Sequence, residues 1–181
     1  MITNTLVCVV ALCAQSITGQ LQKSVATAAP AKKAPVAQVA AAKPGQVISG
    51  VRTTAYTHSE ADHLQYGAQS AVGTRLNSGK IRSAAADWSI YPLGTVFQIK
   101  GDSSVYVVDD YGSALVGTRT IDIYQPSTRL MNRWGTRRVD IHILRWGSMS
   151  KSLAVLKPRA GKASHVREMI YRIQTQQRAS S

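Results

Sequence analysis

Four blocks between Asp87 and Leu144 decide how this chain folds. They are Asp87-Trp88-Ser89-Ile90-Tyr91-Pro92-Leu93-Gly94-Thr95, Val107-Val108-Asp109-Asp110-Tyr111-Gly112-Ser113-Ala114, Thr120-Ile121-Asp122-Ile123-Tyr124 and Trp134-Gly135-Thr136-Arg137-Arg138-Val139. Apolar, β-branched runs alternate here with Gly, Pro and Ser turns, the pattern of short strands joined by tight connections. Asp110 ends an apolar strand and opens a Gly turn, a position that puts a side chain on the rim of a small barrel. Asp122 lies between Ile121 and Ile123, so strand alternation turns it to the face opposite two apolar neighbours. Singly, these residues read as a solvent-facing edge aspartate and a turn former. Together with Asp87, at strand ends feeding one face of one barrel, they read as a site.

Working outward, the candidate strands are 51–57, 95–100, 105–109, 120–124 and 138–144, with a short helix from Ser127, an N-cap residue, to Trp134. Val96-Phe97-Gln98-Ile99 and Val139-Asp140-Ile141-His142-Ile143-Leu144 alternate with period two. Five or six short strands with one helix before the last imply an all-β fold, a small closed barrel over 50–147.

The flanks differ in kind. Leu6 to Ala14 is an apolar run followed by small and polar residues. It is too short to span a bilayer, which takes about 20 residues, and suits a signal peptide over 1–19. Both cysteines, Cys8 and Cys13, lie inside it, so a mature chain would carry none and a disulfide scaffold is excluded. Residues 20–49 are rich in Ala, Lys and Pro without period and read as a disordered linker. Residues 148–181 form a basic C-terminal extension in which 164–177 suits a helix with Val166, Ile170 and Ile173 on one face. The 181 residues carry 22 Lys+Arg against 9 Asp+Glu, a net charge of +13. That excess sits mainly in the flanks: Lys23, Lys32, Lys33 and Lys43 before the domain, and seven Lys and Arg against Glu168 after it. The core domain therefore has no nucleic-acid footprint.

The four blocks carry a resemblance. Thr54-Ala55-Tyr56-Thr57, then Ala85 and Asp87 followed by Pro92-Leu93-Gly94-Thr95, then Asp110-Tyr111-Gly112-Ser113-Ala114-Leu115-Val116-Gly117, Ile121-Asp122-Ile123-Tyr124 and Trp134-Gly135-Thr136-Arg137 resemble in order and spacing the 3D domain, named for three aspartates. The resemblance covers roughly Arg52 to Trp146 and implies a six-stranded double-psi β-barrel with one or two short helices, as in MltA-type lytic murein transglycosylases and stationary-phase survival proteins. It implies Asp122 as the catalytic general acid and then base, Asp110 supporting it and binding substrate, and Asp87 holding the site together. Tyr56, Thr54, Gly112, Ser113 and Gly117 become substrate-binding candidates. Ser113 stands where the family has a second Gly, and one extra residue separates Gly117 from Asp122. Asp109 is accordingly a rival for the place given to Asp110, which alone keeps the Gly two positions on.

The chemistry suits these residues. Cleaving a β-1,4 glycosidic bond requires a carboxyl kept protonated near neutral pH, which burial among isoleucines and a second nearby carboxylate both favour. The implied function is a secreted peptidoglycan lytic transglycosylase acting on glycan strands, without cofactor or metal, as a monomer of the cell envelope. A non-catalytic barrel that binds cell-wall glycan is the alternative, and a nucleic-acid protein using its basic flanks a third. Weaker signals are left as structure: His58-Ser59-Glu60-Ala61-Asp62-His63 lacks metal-site spacing, Gly73–Gly79 lacks a phosphate-loop ending, and no Gly-x-Ser-x-Gly elbow accompanies the Ser, His and Asp residues. Arg129, Arg133, Arg137 and Arg138 suit a solvated helix face or an anionic glycan, and the basic flanks suit anionic envelope polymers.

Overall fold

The computed structural model describes residues 45–61 and 64–179. The expected signal segment, and the linker up to residue 44, lie outside the described residues. Six strands, β1 (Val47–Tyr56), β2 (Ile81–Ala86), β3 (Val96–Ile99), β4 (Val105–Asp110), β5 (Ile121–Tyr124) and β6 (Arg137–Arg145), close into a barrel in the order β1-β5-β2-β4-β3-β6. The pairs β1–β5 and β2–β4 are parallel, the others antiparallel. This is the closed, six-stranded double-psi barrel that the sequence leads one to expect.

Alternation fills the barrel. Phe97, Tyr106, Val108, Ile121, Ile123 and Ile141 are completely buried, and Ile99 and Ile143 nearly so. Each such side chain contributes roughly 1.5–3 kcal/mol relative to an exposed one. The stacked rings of Phe97 and Tyr106, 5.2 Å apart, pair across β3 and β4. The helix foreseen after β5 is α1 (Thr128–Trp134), capped by the Ser127 hydroxyl, which accepts from the Leu130 amide.

Three departures from the sequence reading have physical causes. The strand β2, Ile-Arg-Ser-Ala-Ala-Ala, is absent from the expected set because alanine carries no strand preference. Its neighbours β4 and β5 supply the pairing on both edges, and fully buried Ala84 and Ala86 keep the wall thin against the core. The first strand opens at Val47, earlier than expected, with an irregularity between Ile48 and Val51. There Gly50 adopts φ +67°, a conformation that β-branched neighbours cannot take.

The third departure lies at the C-terminus. The extension is no loose tail: α2 (Met149–Leu156) and α3 (Ser164–Ala179) bury Leu153, Leu156, Val166, Met169 and Ile173 in the barrel's own core cluster. Helix α2 is unforeseen in the sequence. Gly147 seats it, because a Cβ there would stand 2.2 Å from the Pro92 carbonyl oxygen, and the adjacent Ser148 amide donates to Leu93. Gln176 on α3 donates to the Ser89 carbonyl at 3.1 Å, so the helices buttress the segment that follows β2. Among the described residues no helix is long and apolar enough to cross a membrane.

Candidate functional site

Adjacent strands lay Thr54, Asp122, Ala85 and Asp110 side by side: Thr54 opposite Asp122, Asp122 opposite Ala85, and Ala85 opposite Asp110. Ile121 and Ile123 point into the core, so this row lies on the outer face of the barrel wall. On that face Tyr56, Leu76, Ala85, Leu115 and Tyr124 form a small apolar cluster of their own. The connection from β1 to β2 folds back over it, bringing Leu76 into the cluster and the Ala71 amide onto Asp110. Ala85, the smallest side chain of the row, leaves the two carboxylates facing each other across one strand.

A bulge brings a third carboxylate. Ala84 stands opposite Val108, but the next residue, Ala85, stands opposite Asp110, so β4 carries an extra residue, Asp109. Such a bulge places two residues against one and breaks the alternation that would send neighbours to opposite faces. Asp109 accordingly takes a hydrogen bond from Ser83, the residue two before Ala85 on the same face, at 2.7 Å. Asp110 turns instead to the Tyr56 hydroxyl, which donates at 3.0 Å.

The three carboxyls are held differently. Asp122 accepts from the Thr54 hydroxyl at 2.7 Å. Burial pushes its ionisation up to about 6; the Thr54 bond and Arg52 oppose this, while Glu60 and Asp110 add to it. Burial likewise pushes Asp109 up to about 6 against the Ser83 bond, with Asp110 adding, and its Oδ1 is buried without a partner among the described residues. Asp110 is an acceptor throughout its contacts with Tyr56, the Ala71 amide at 3.0 Å and the Tyr111 amide at 2.9 Å. Its own carbonyl takes the Trp88 indole N–H at 2.8 Å. Burial first, then the charges of Asp110 and Asp109, keep the Tyr56 phenol far above its usual range, a permanent hydroxyl donor. The arrangement supplies two carboxyls whose ionisation is raised to about 6 beside a carboxyl fixed by hydrogen bonds.

An open cavity of 490 Å³ adjoins this face, lined by His58, Ala68, Arg75, Leu76, Asn77, Ser78, Tyr124 and Pro126. Tyr124 forms the boundary: its ring meets Tyr56 edge-on at 5.6 Å, and its hydroxyl hydrogen-bonds His58 Nδ1 at 2.8 Å.

Residues 82–145 match the family described as the 3D domain. This segment is a 3D domain. The match runs from β2 into β6, and β1, which precedes it, pairs with β5 and β6 and completes the barrel. Among solved structures, the crystal structure of MltA from E. coli is similar at 24% identity and a TM-score of 0.35, covering 43% of this chain and 27% of that one. The matched part of this chain thus spans about a quarter of the length of that solved chain. No curated protein matches it.

The structure brings Thr54 and Tyr56, which precede the matched segment, together with Asp110 and Asp122 inside it, and places Asp109 beside Asp110. Asp87 is elsewhere: completely buried, it accepts from the Ser89 amide and hydroxyl at 2.8 and 2.7 Å and from the Gly117 amide at 2.7 Å. It pins the β4–β5 connection to the end of β2. Gly117 spends its N–H on that clamp and takes φ +80°, where a Cβ would be strained and would meet the Arg172 guanidinium at 3.3 Å. Gly112 is extended, and Ser113 is exposed at the start of a one-turn 3-10 helix (Ser113–Leu115). Sequence reasoning missed Ser83, Tyr124 and Trp88 as parts of the site; the first lies on the unforeseen strand, the others looked like ordinary core residues. Of the sequence 58–63, His58 reaches Tyr124, whereas Asp62 and His63 lie outside the described residues. Among the described residues no group of three His, Cys, Asp or Glu is placed to hold a metal ion.

Proposed function

We propose that this protein is a secreted peptidoglycan lytic transglycosylase with Asp122 as its single general acid and base. The observation that carries the proposal is the Asp122 carboxyl: raised to about 6, oriented by Thr54, and one strand away from Asp110 on a face bordered by an open cavity. A carboxyl protonated near neutrality is what departure of a sugar oxygen requires. Asp122 gives its proton to the 4-oxygen of the leaving N-acetylglucosamine as the bond from C1 of N-acetylmuramic acid breaks. The resulting carboxylate takes the proton of the muramyl 6-hydroxyl, whose oxygen closes on C1. The product is a 1,6-anhydro end, no water is consumed, and Asp122 is protonated again. One carboxyl serves both steps, unlike the two-carboxylate arrangement of hydrolytic glycosidases. Asp110, almost completely buried and held by the Tyr56 hydroxyl and the Ala71 and Tyr111 amides, acts on Asp122 through its charge rather than by binding the sugar as the sequence proposes, and Asp87 keeps the β4–β5 connection in place.

Digestion of purified murein sacculi, with mass spectrometry of the released muropeptides, tests this: 1,6-anhydro ends are expected. Binding to sacculi without such ends would instead favour a glycan-binding barrel. One observation supports that second reading: the cavity lies over Tyr124 and His58, an aromatic and polar surface suited to a sugar face, rather than over Asp122 itself.

A further inference from the structure

A second cavity, of 270 Å³, lies between the start of β2, the end of β5 and helix α1, and the glycan chemistry above makes no use of it. Its walls include Arg82, Arg133, Arg137, Trp134, Gln125 and Ser78, with no carboxylate among them. Two N–H donors in this wall, Arg82 Nε and Trp134 Nε1, are buried with no partner among the described residues. Buried donors are ordinarily hydrogen-bonded, so two unpartnered ones in one cavity wall favour the binding of an acceptor there.

The charge has been assembled with care for its sign. The C-terminal carbonyls of α1 would repel an anion. Arg137 covers them, donating to the Trp134 carbonyl through Nε at 2.9 Å and through Nη2, and from Nη2 to the Arg133 carbonyl at 3.0 Å. Its guanidinium lies 4.4 Å from the centre of the Trp134 ring, which fixes it over the cavity wall. Arg133 is exposed on α1. Arg82 has an acid in electrostatic reach, Asp102, which also accepts from Tyr106. The volume is below the usual range for a whole small-molecule ligand, and suits one acidic group with the few atoms that carry it.

We infer that the cavity beneath α1 is an anion-binding site that takes a carboxylate or phosphate group through Arg82, Arg133 and Arg137. This site is separate from the Asp122 face, and its occupancy does not depend on bond cleavage. It shares Ser78 and Pro126 with the larger cavity, so a ligand anchored here by its acidic group extends toward Tyr124.

The test is a titration of the full chain with inorganic phosphate and, separately, with acetate, at constant ionic strength, following the Trp134 indole N–H resonance assigned with Trp134→Phe. A saturable shift with phosphate alone supports the site and names phosphate as its ligand group. Saturation with acetate alone supports it and names a carboxylate, and saturation with both supports either source. Arg133→Gln, on the surface of α1, is expected to weaken binding about tenfold, as is Arg82→Gln, while Arg178→Gln on α3 leaves it unchanged. No saturation with either anion overturns the inference. So does equal binding by the wild type and Arg133→Gln. Neither result bears on the appearance of 1,6-anhydro ends from sacculi, so failure here is distinguishable from failure of the proposed activity.

Discussion

Replacing Asp122 by Asn is expected to stabilise the protein at pH 8 and to leave its stability unchanged near pH 3.5. In the folded chain the Asp122 carboxyl ionises at about 6 instead of 3.8, chiefly because burial penalises its charged form. A raised folded-state value means that the unfolded chain loses its proton first as pH rises. The stability this group contributes is whole below pH 3.8 and is lost progressively up to about pH 6. At 1.36 kcal/mol per pH unit that loss amounts to about 3 kcal/mol, a ceiling because the side chain is only partly shielded from water. Asn cannot ionise, and its Oδ1 can keep the bond donated by the Thr54 hydroxyl at 2.7 Å. Urea denaturation of both proteins at pH 3.5 and pH 8 measures the difference. The variant should gain about 1–3 kcal/mol at pH 8 only. A variant that is less stable at pH 8, or offset equally at both pH values, would refute the claim that the folded state holds this carboxyl against ionisation.

Other expectations follow from the same geometry. If Asp122 must begin protonated, kcat/KM on sacculi falls about tenfold per pH unit above about 6; a flat profile between pH 6 and 8 would exclude it as the acid. Asp87→Asn sets an amide N–H against either the Gly117 amide or the Ser89 donors, which should cost about 1–3 kcal/mol and speed hydrogen exchange at Gly117; unchanged exchange would show that the clamp is not needed. Gly147→Ala forces its Cβ against the carbonyl oxygens of Pro92 and Leu93, and thermal unfolding should show a loss of at least about 1–3 kcal/mol. An unshifted melting temperature would mean that the seat of α2 yields freely.

How much of this was legible in the sequence depends on what each feature rests on. Asp122 was readable because Ile121 and Ile123 declare its orientation: two buried neighbours leave one face for the carboxylate. Asp109 was readable only as a rival, since alternation alone sends neighbouring aspartates to opposite faces; the bulge that brings both to one wall exists only in the pairing of β4 with β2. The strand β2 itself left little local trace, because its three alanines are strand residues by virtue of their neighbours. Ser83 of the site was hidden with it, and Ala85 was legible only as part of the motif that leads to Asp87. The C-terminal helices were half legible: the apolar face of α3 was plain, but not that it would join the barrel core. Asp87 shows the reverse case, a residue whose family role suggested the site and whose bonds to Ser89 and Gly117 place it behind the site.

In the proposed reaction one carboxyl, on the outer wall of the barrel, carries the proton for both halves. Counting 1,6-anhydro ends released from sacculi by the wild type, Asp122→Asn and Asp109→Asn tests it most directly, because Asp109 shares the raised ionisation but not the contact with Thr54. Anhydro ends are expected from the wild type and from Asp109→Asn, and none from Asp122→Asn. Undiminished release by Asp122→Asn, with loss in Asp109→Asn, would contradict it.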